Sequence, residues 1–141
     1  NGIGTILFDA PVTKVGEMAF CECTNLKSIS LPNSVTELGG WAFFCCFYFE
    51  EIGLSSRLKV IGDAAFSSCS ELKDITLPDS VTTIGDGACS SCGRLTSIDV
   101  NENNQASDSY ATPQGVSEQT MRFTEETIDD MPVGTRFFAK K

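Results

Sequence analysis

The sequence predicts a solenoid whose coils of 23 residues combine short parallel β-strands with 3₁₀ or helical turns. Three observations support this fold class. Residues 12–103 divide into four consecutive blocks of equal length, without insertion or deletion. Nine positions of the block carry a similar apolar or small residue each time. One block buries too little apolar surface to offset the entropy of ordering its own backbone, so neighbouring blocks have to share a core.

Each block is called a coil, and positions are numbered from its first residue. Coils one to four begin at Val12, Val35, Leu58 and Val81. Position five is glycine, position eight is alanine and position twelve is cysteine in every coil. Position nine is phenylalanine in three coils and Cys89 in the fourth. These recurring positions predict the inward-facing side of each coil.

Each coil is predicted to contain two short strands and one turn segment. In coil one, apolar residues alternate at the end of residues 26–31, which predicts a strand, and Pro32 ends it because proline donates no ladder bond. Residues 12–15 predict a second extended piece, and Gly16 permits a turn that a Cβ would obstruct. Residues 19–23 lack strand alternation and predict a helical or 3₁₀ turn.

The chain begins and ends outside the four regular coils. Ile3, Ile6 and Phe8 fall at positions fifteen, eighteen and twenty of an earlier coil, so residues 1–11 predict a partial coil. It is either cut from a longer array or a natural half coil. Residues 104–141 do not match the block, and we predict that they form a C-terminal cap with two short strands, since solenoid ends need covering. The alternative is the start of a following segment. The apolar residues of the cap would be Met121, Phe123, Phe137 and Phe138.

Charge and hydropathy argue against several classes of function. The net charge of −9 and the isoelectric point near 4.3 disfavour nucleic acids and anionic membranes, because clustered lysine and arginine bind both. No apolar run approaches the ~20 residues that span a bilayer. The first residues lack the basic and apolar blocks of a signal peptide, so we expect a mature chain or a fragment.

No catalytic, cofactor-binding or metal-ligating residue is predicted, and we expect the chain not to be an enzyme. Histidine, the usual general base and the commonest metal ligand, is absent. The acidic pairs at 125–126 and 129–130 are adjacent in sequence, so their carboxylates do not face each other on a helix and point apart on a strand. No serine or cysteine has a plausible base to activate it.

The seven cysteines are interpreted mainly as core residues. Four of them occupy position twelve and predict a buried column of thiols: Cys23, Cys46, Cys69 and Cys92. A linear column supplies a tetrahedral metal site poorly. Cys89-x-x-Cys92 resembles a redox motif, but position nine is a core phenylalanine elsewhere, so Cys89 is interpreted as a smaller core residue. Cys21 and Cys45 lie off the column, and a disulfide between neighbouring coils stays an alternative for them.

Two surfaces are candidates for binding a partner. The first consists of strand residues that alternate with the core and therefore point outward. It is small, polar and mildly acidic and would suit a basic or polar partner, although the simpler interpretation is a solvated sheet face. Its main members are Ser28, Ser30, Glu51, Asp74, Thr76 and Asp99, with Gly53 and Ser97 beside them.

The second candidate is an aromatic patch in coil two. Trp41, Phe44, Phe47 and Tyr48 lie at positions where the other coils carry mostly small or polar residues. Exposed aromatic groups normally mark a contact. Three interpretations remain open: the patch binds a partner protein or a glycan, it is covered by the chain's own tail or by a second copy, or it has no role.

The repeat resembles the BspA-like leucine-rich repeats of bacterial surface proteins. The residues that carry the resemblance fit V-T-x-I-G-x-x-A-F-x-x-C-x-x-L-x-x-I-x-L-P-x-S, most closely at 65–69 and 81–85. Ser55 and Asn101 replace the proline of this pattern, and Cys89 replaces its phenylalanine. The resemblance implies a right-handed leucine-rich-repeat solenoid with a parallel sheet on its concave side.

The resemblance also implies a cell-surface or secreted bacterial protein that binds host proteins or other cells. We therefore expect an extracellular, adhesion-type module whose partner is a host or bacterial surface protein. The alternative is a structural spacer that presents another domain.

Overall fold

The computed structural model describes residues 9–95 in full and the backbone of two further strands, 97–101 and 136–140. In these ranges it contains nine strands and no helix. The strands are β1 (Lys14–Val15), β2 (Ser28–Ser30), β3 (Glu37–Leu38), β4 (Glu51–Gly53), β5 (Val60–Ile61), β6 (Asp74–Thr76), β7 (Thr83–Ile84), β8 (Ser97–Asn101) and β9 (Arg136–Lys140). The described part of the chain has no apolar helix of membrane-spanning length.

All strand pairs of the described residues are parallel, and those among β1 to β8 join equivalent positions of successive coils. One sheet has the order β1-β3-β5-β7, and it aligns Val15 with Leu38, Leu38 with Ile61 and Ile61 with Ile84. The second strand of each coil forms the pair β2-β4 and the sheet β6-β8-β9. The register advances by one 23-residue coil at each step, which confirms the predicted solenoid of short parallel strands.

The turn segment differs from the predicted helical or 3₁₀ turn. Amides at positions eight, ten and twelve do bond three residues back, as Ala19 bonds to Gly16. Amides at positions seven, nine and eleven instead donate to the next coil, as Phe20 donates to Ala42 over 2.8 Å. A helix cannot form because positions seven and eleven have left-handed backbones, with φ between 50° and 62°. These residues are Met18, Trp41, Ala64 and Gly87 at position seven, and Glu22, Cys45, Ser68 and Ser91 at position eleven.

The glycines at position five are required for close stacking and not for a turn. None of them has a left-handed backbone. A Cβ on Gly39 would lie 2.5 Å from the amide nitrogen of Glu17, and one on Gly62 would lie 2.5 Å from that of Gly40. Gly16, in coil one, has nothing within 4 Å of its Cβ position. The turn role expected for Gly16 is therefore wrong: glycine at this position lets one backbone lie against the previous coil.

The core is a continuous stack along the solenoid. The rings of Phe20, Phe43 and Phe66, all at position nine, are parallel, with centroids 5.1 and 5.6 Å apart. Phe49 stacks on the same central ring at 5.2 Å. Phe43, Phe49 and Phe66 are buried, whereas Phe20 is half-buried and Ala19 is exposed. Burial is thus weaker in coil one than in coils two and three.

The position-twelve cysteines form a hydrogen-bonded column. The Sγ atoms of Cys46, Cys69 and Cys92 donate to the position-nine carbonyl of the preceding coil, over 3.0 to 3.1 Å. These three side chains are fully buried, and Cys23 is half-buried. Burial raises the pKa of Cys46 to about 11 and that of Cys92 to about 12, so both thiols keep the proton that they donate.

The remaining cysteines are also free thiols. Burial raises the pKa of Cys89 well above its ordinary value, with further increases from Cys92 and Cys69. Reactive thiols have lowered pKa values, so this environment supports a core role for Cys89 over a redox motif. Cys21 and Cys45 are half-buried in neighbouring coils.

Part of the predicted tail is described. One strand of the tail is β9 at Arg136–Lys140, which pairs in parallel with β8 and aligns Phe137 with Ile98. The tail thus adds a third strand to the sheet of β6 and β8. Met121 and Phe123 of the predicted cap lie outside the described residues, as does the partial coil around Ile3, Ile6 and Phe8.

Candidate interaction surfaces

The outward residues of the second strands line one open groove. Its volume is about 560 Å³, and it spans β2, β4 and β6. The predicted strand-face residues of these strands are all exposed: Ser28, Ser30, Glu51, Gly53, Asp74 and Thr76. Asp99 and Ser97 lie on β8, where the structure describes only the backbone.

The groove combines a glycine at its middle strand with charge at its rim. A Cβ on Gly53 would lie 2.9 Å from Oγ of Ser30, so any larger residue would crowd the centre. Glu50 and Lys73 join Glu51 and Asp74 in the lining. Glu50 is 3.9 Å from Lys27 of the previous coil, an exposed pair that contributes little to stability. The groove is mixed in charge and shallow.

The aromatic residues of the predicted patch lie along the turn segment of coil two. Trp41 is 40% exposed, Phe47 45% and Tyr48 59%, so three of the four predicted patch residues face solvent. Phe44 is half-buried, and its carbonyl accepts the Glu22 amide of coil one over 2.7 Å. Phe44 therefore contributes only part of its ring to the surface.

Met18 is an exposed apolar residue that sequence comparison missed. Its side chain is 55% exposed, and it shares position seven with Trp41 one coil further on. The Met18 amide donates to Gly40, next to Trp41, over 3.0 Å. The sequence signal that could have identified Met18 is that Met18 and Trp41, both large, occupy position seven, where coils three and four have Ala64 and Gly87. Met18, Trp41, Phe47 and Tyr48 are called the apolar patch below.

The charges beside the apolar patch are almost all negative. The turn segments, positions six to fourteen of each coil, contain the carboxylates Glu17, Glu22, Asp63, Glu71 and Asp86. The single cation of these segments, Arg94, is paired with Glu71 at 2.7 Å. The turn segment of coil two, residues 40–48, has no charge at all. The aromatic residues of the patch thus lie on an uncharged turn segment, between the turn segments of coils one and three, which carry carboxylates.

The described residues offer no arrangement for metal chemistry. No three histidine, cysteine, aspartate or glutamate side chains within them are grouped to hold a metal ion. The buried thiols have raised pKa values, the reverse of what a metal-binding thiolate needs.

Comparisons with known proteins place the chain in a family. Residues 2–112 match the family described as "BspA type Leucine rich repeat region", in six copies. A leucine-rich cell surface protein from Faecalibacterium prausnitzii A2-165 superposes with a TM-score of 0.66 at 31% identity, over 70% of this chain and 26% of that protein. A leucine-rich repeat protein of T. pallidum superposes with a TM-score of 0.52 at 32% identity, over 67% of this chain and 57% of that one.

The chain spans about a quarter of the length of the Faecalibacterium protein. Comparison with curated proteins finds no significant match. The family match covers most of the chain, and the similar structures share both its fold and its repeat type. The chain therefore belongs to the BspA-type leucine-rich-repeat family, and it is a repeat domain of the protein-interaction kind found in bacterial surface proteins.

Proposed function

We propose that this chain is an adhesion-type, protein-binding module of a bacterial cell-surface or secreted protein. The observation that carries the proposal is the apolar patch on coils one and two. Four large apolar side chains between 40% and 59% exposed are presented on a rigid scaffold. Tryptophan and tyrosine are enriched among the residues that dominate binding energy at protein interfaces.

The scaffold gives the patch a fixed geometry. Trp41 donates its amide to Asp63 of coil three over 2.8 Å, and Phe47 donates to Cys45 over 3.0 Å. Core residues of coil two, including Ala42, Phe43 and Cys46, are fully buried between the patch residues. The patch is therefore pre-organised, which lowers the entropy that binding has to offset.

A capture experiment tests the proposal. The chain would be immobilised and exposed to host extracellular-matrix proteins and to surface extracts of neighbouring bacteria. We expect specific proteins to be retained, and we expect the double variant Trp41→Ala/Tyr48→Ala to lose them. The matched control is Ser28→Ala/Thr76→Ala, which alters two exposed strand-face residues and leaves the patch intact.

Three results would contradict the proposal. Retention of no protein would favour a structural spacer. Equal retention by the aromatic double variant would remove the patch from the binding surface. Retention of polysaccharide in place of protein would make the chain a glycan-binding module.

A further inference from the structure

We propose that the apolar patch accepts a cationic side chain, arginine or lysine, from a basic segment of the partner protein. This inference rests on the proposed function and names the chemistry of the partner. It follows from what surrounds Trp41, and not from the exposure of the ring alone.

In the stack of coils, Gly40, the residue before Trp41, lies between two acidic residues. Glu17 and Asp63 occupy position six of coils one and three, on either side of Gly40. The backbone fixes both: Met18, next to Glu17, bonds to Gly40, and Trp41 bonds directly to the Asp63 carbonyl. Equivalent positions of adjacent coils are separated by about one strand spacing, ~4.8 Å. Glu17 and Asp63 are therefore carried by the two coils on either side of the coil that carries the exposed indole.

These carboxylates have no cation of their own segment to neutralise them. Glu17, Glu22 and Asp63 are exposed, and Arg94, the cation of the turn segments, is engaged with Glu71. Asp63 uses one oxygen, Oδ1, to accept the Asp86 amide over 2.9 Å, which directs this oxygen toward coil four. Lys14, Lys27 and Lys59 all lie outside the turn segments.

An indole face flanked by carboxylates favours a cation. The ring attracts a guanidinium or ammonium group through its quadrupole, and the carboxylates add hydrogen bonds with opposite charge. Met18, Phe47 and Tyr48 would contact the aliphatic stems and apolar neighbours of the same segment. A second copy of this chain is a poor occupant, because its net charge of −9 would oppose association.

The test uses two synthetic peptides and the protein's only tryptophan. One peptide alternates arginine with leucine, and the other has glutamate in place of each arginine. Trp41 is the single tryptophan of the chain, so a change in its fluorescence reports contact at this position. We expect the arginine peptide to change the emission at low salt, the effect to weaken as salt is added, and the glutamate peptide to have none.

Variants separate the local site from the general charge of the protein. Glu17→Gln/Asp63→Asn removes both flanking charges and keeps the acceptor that Asp63 provides to Asp86. We expect it to weaken arginine-peptide binding about tenfold. Asp9→Asn/Asp79→Asn removes the same charge outside both the turn segments and the strand-face groove, and it should leave the affinity within about twofold. The anisotropy of the arginine peptide should also show that the Trp41→Ala variant binds it more weakly than the Trp41→Phe variant does.

Equal weakening by the two double variants would mean that only net charge attracts the peptide, and it would overturn the inference. Equal binding of the two peptides would do the same. If capture of a natural protein partner depends on Trp41 and Tyr48 but not on Glu17 and Asp63, the proposed function stands. The inference that the partner supplies a cationic side chain is then wrong. Failure of capture in the native chain rejects the proposed function itself.

Discussion

At the scale of single residues, the thiol column links the chemistry of cysteine to the regularity of the stack. A buried cysteine acts as a small apolar group with a weak donor. Cys69 uses that donor on the Phe43 carbonyl, 3.1 Å away, while the Cys46 amide bonds to the same oxygen. Cysteine therefore fills the interior of the coil and satisfies a carbonyl of the coil before it.

The buried thiols predict a loss of stability in alkali. In the unfolded chain they ionise near 9.0, whereas burial raises the folded-state pKa of Cys46 to about 11 and of Cys92 to about 12. At pH values between its unfolded-state and folded-state pKa, each thiol holds its proton less often in the unfolded chain than in the folded one. Their contribution to the free energy of unfolding is constant below pH 9 and falls above it, by ~1.4 kcal/mol per pH unit for each thiol. Urea unfolding with a reductant present measures this slope. Cys92→Ala should have a shallower slope, and an unchanged slope would contradict the prediction.

The left-handed residues give a second prediction at this scale. Ala64 has φ of 50°, which costs an L-residue about 1–2 kcal/mol, and the same position is glycine at Gly87. Part of the gain from glycine is offset by the greater freedom of the unfolded chain. We expect Ala64→Gly to raise the free energy of unfolding by up to about 1 kcal/mol. Thermal unfolding measures the change, and a lower melting temperature would contradict it.

At the scale of elements, each coil is held to the next by two kinds of ladder. The strands supply parallel pairs, and the turn segment supplies a third line of hydrogen bonds through its alternate amides. The glycine column sits between them, where the backbone of one coil meets the next. Close approach at this point sets the spacing of the whole stack.

Two substitutions of the same residue type isolate that contact. Gly62→Ala places a methyl group 2.5 Å from the amide nitrogen of Gly40, so the coils have to separate, and we expect a loss of about 1–3 kcal/mol or more. Gly16→Ala meets nothing within 4 Å, and its stability should be unchanged or higher by up to about 1 kcal/mol. Denaturant unfolding compares the two. Equal losses would mean that backbone freedom matters at this position and spacing does not.

At the scale of the whole molecule, stability is expected to vary along the stack. A repeat protein is stabilised by interfaces between neighbours, and those interfaces are better buried in coils two and three than in coil one. The position-nine amides allow a like-for-like comparison. Phe20 and Phe43 donate to the next coil over the same 2.8 Å, yet only the second ring is fully buried.

Amide hydrogen exchange measures this gradient. We expect the amide of Phe20 to exchange at least about tenfold faster than that of Phe43, because coil one opens at a lower free energy. The Phe66 amide, bonded to Ala88 over 2.7 Å, serves as the protected reference. Equal protection of all three amides would show that the coils open only as one unit.

The sequence was sufficient for the repeat, the strands and the core. Columns of matched residues at one fixed spacing are compatible with few folds. Phe43, Cys69 and Leu72 are buried, as their columns predict. It was not sufficient for the turn segment. Only one of the eight left-handed positions is glycine, Gly87, so the sequence carries little mark of that backbone. The glycines at position five were easy to find, but their role depends on a neighbouring coil that a local pattern does not contain.

The candidate surfaces were predicted in outline. Breaks in a column located Trp41, Phe47 and Tyr48, because large aromatic residues stand there at positions where the other coils carry mostly small or polar ones. The same comparison left out Met18, which was treated as part of the background, and gave full weight to Phe44, which is half-buried. Position ten is half-buried or buried in all four coils, and the residue types of its column do not report that burial.

The constant register has a consequence for protein engineering. Trp41, Phe47 and Tyr48 lie at outward positions, whereas the core positions of neighbouring coils carry matching residues. The residues of the recognition surface are therefore separate from the residues that determine the fold. Ala64→Trp, Ser70→Phe and Glu71→Tyr, combined with small residues at the original sites, would transplant the surface by one coil, a translation of about 4.8 Å. A binding surface could then be moved along the solenoid in fixed steps of one coil.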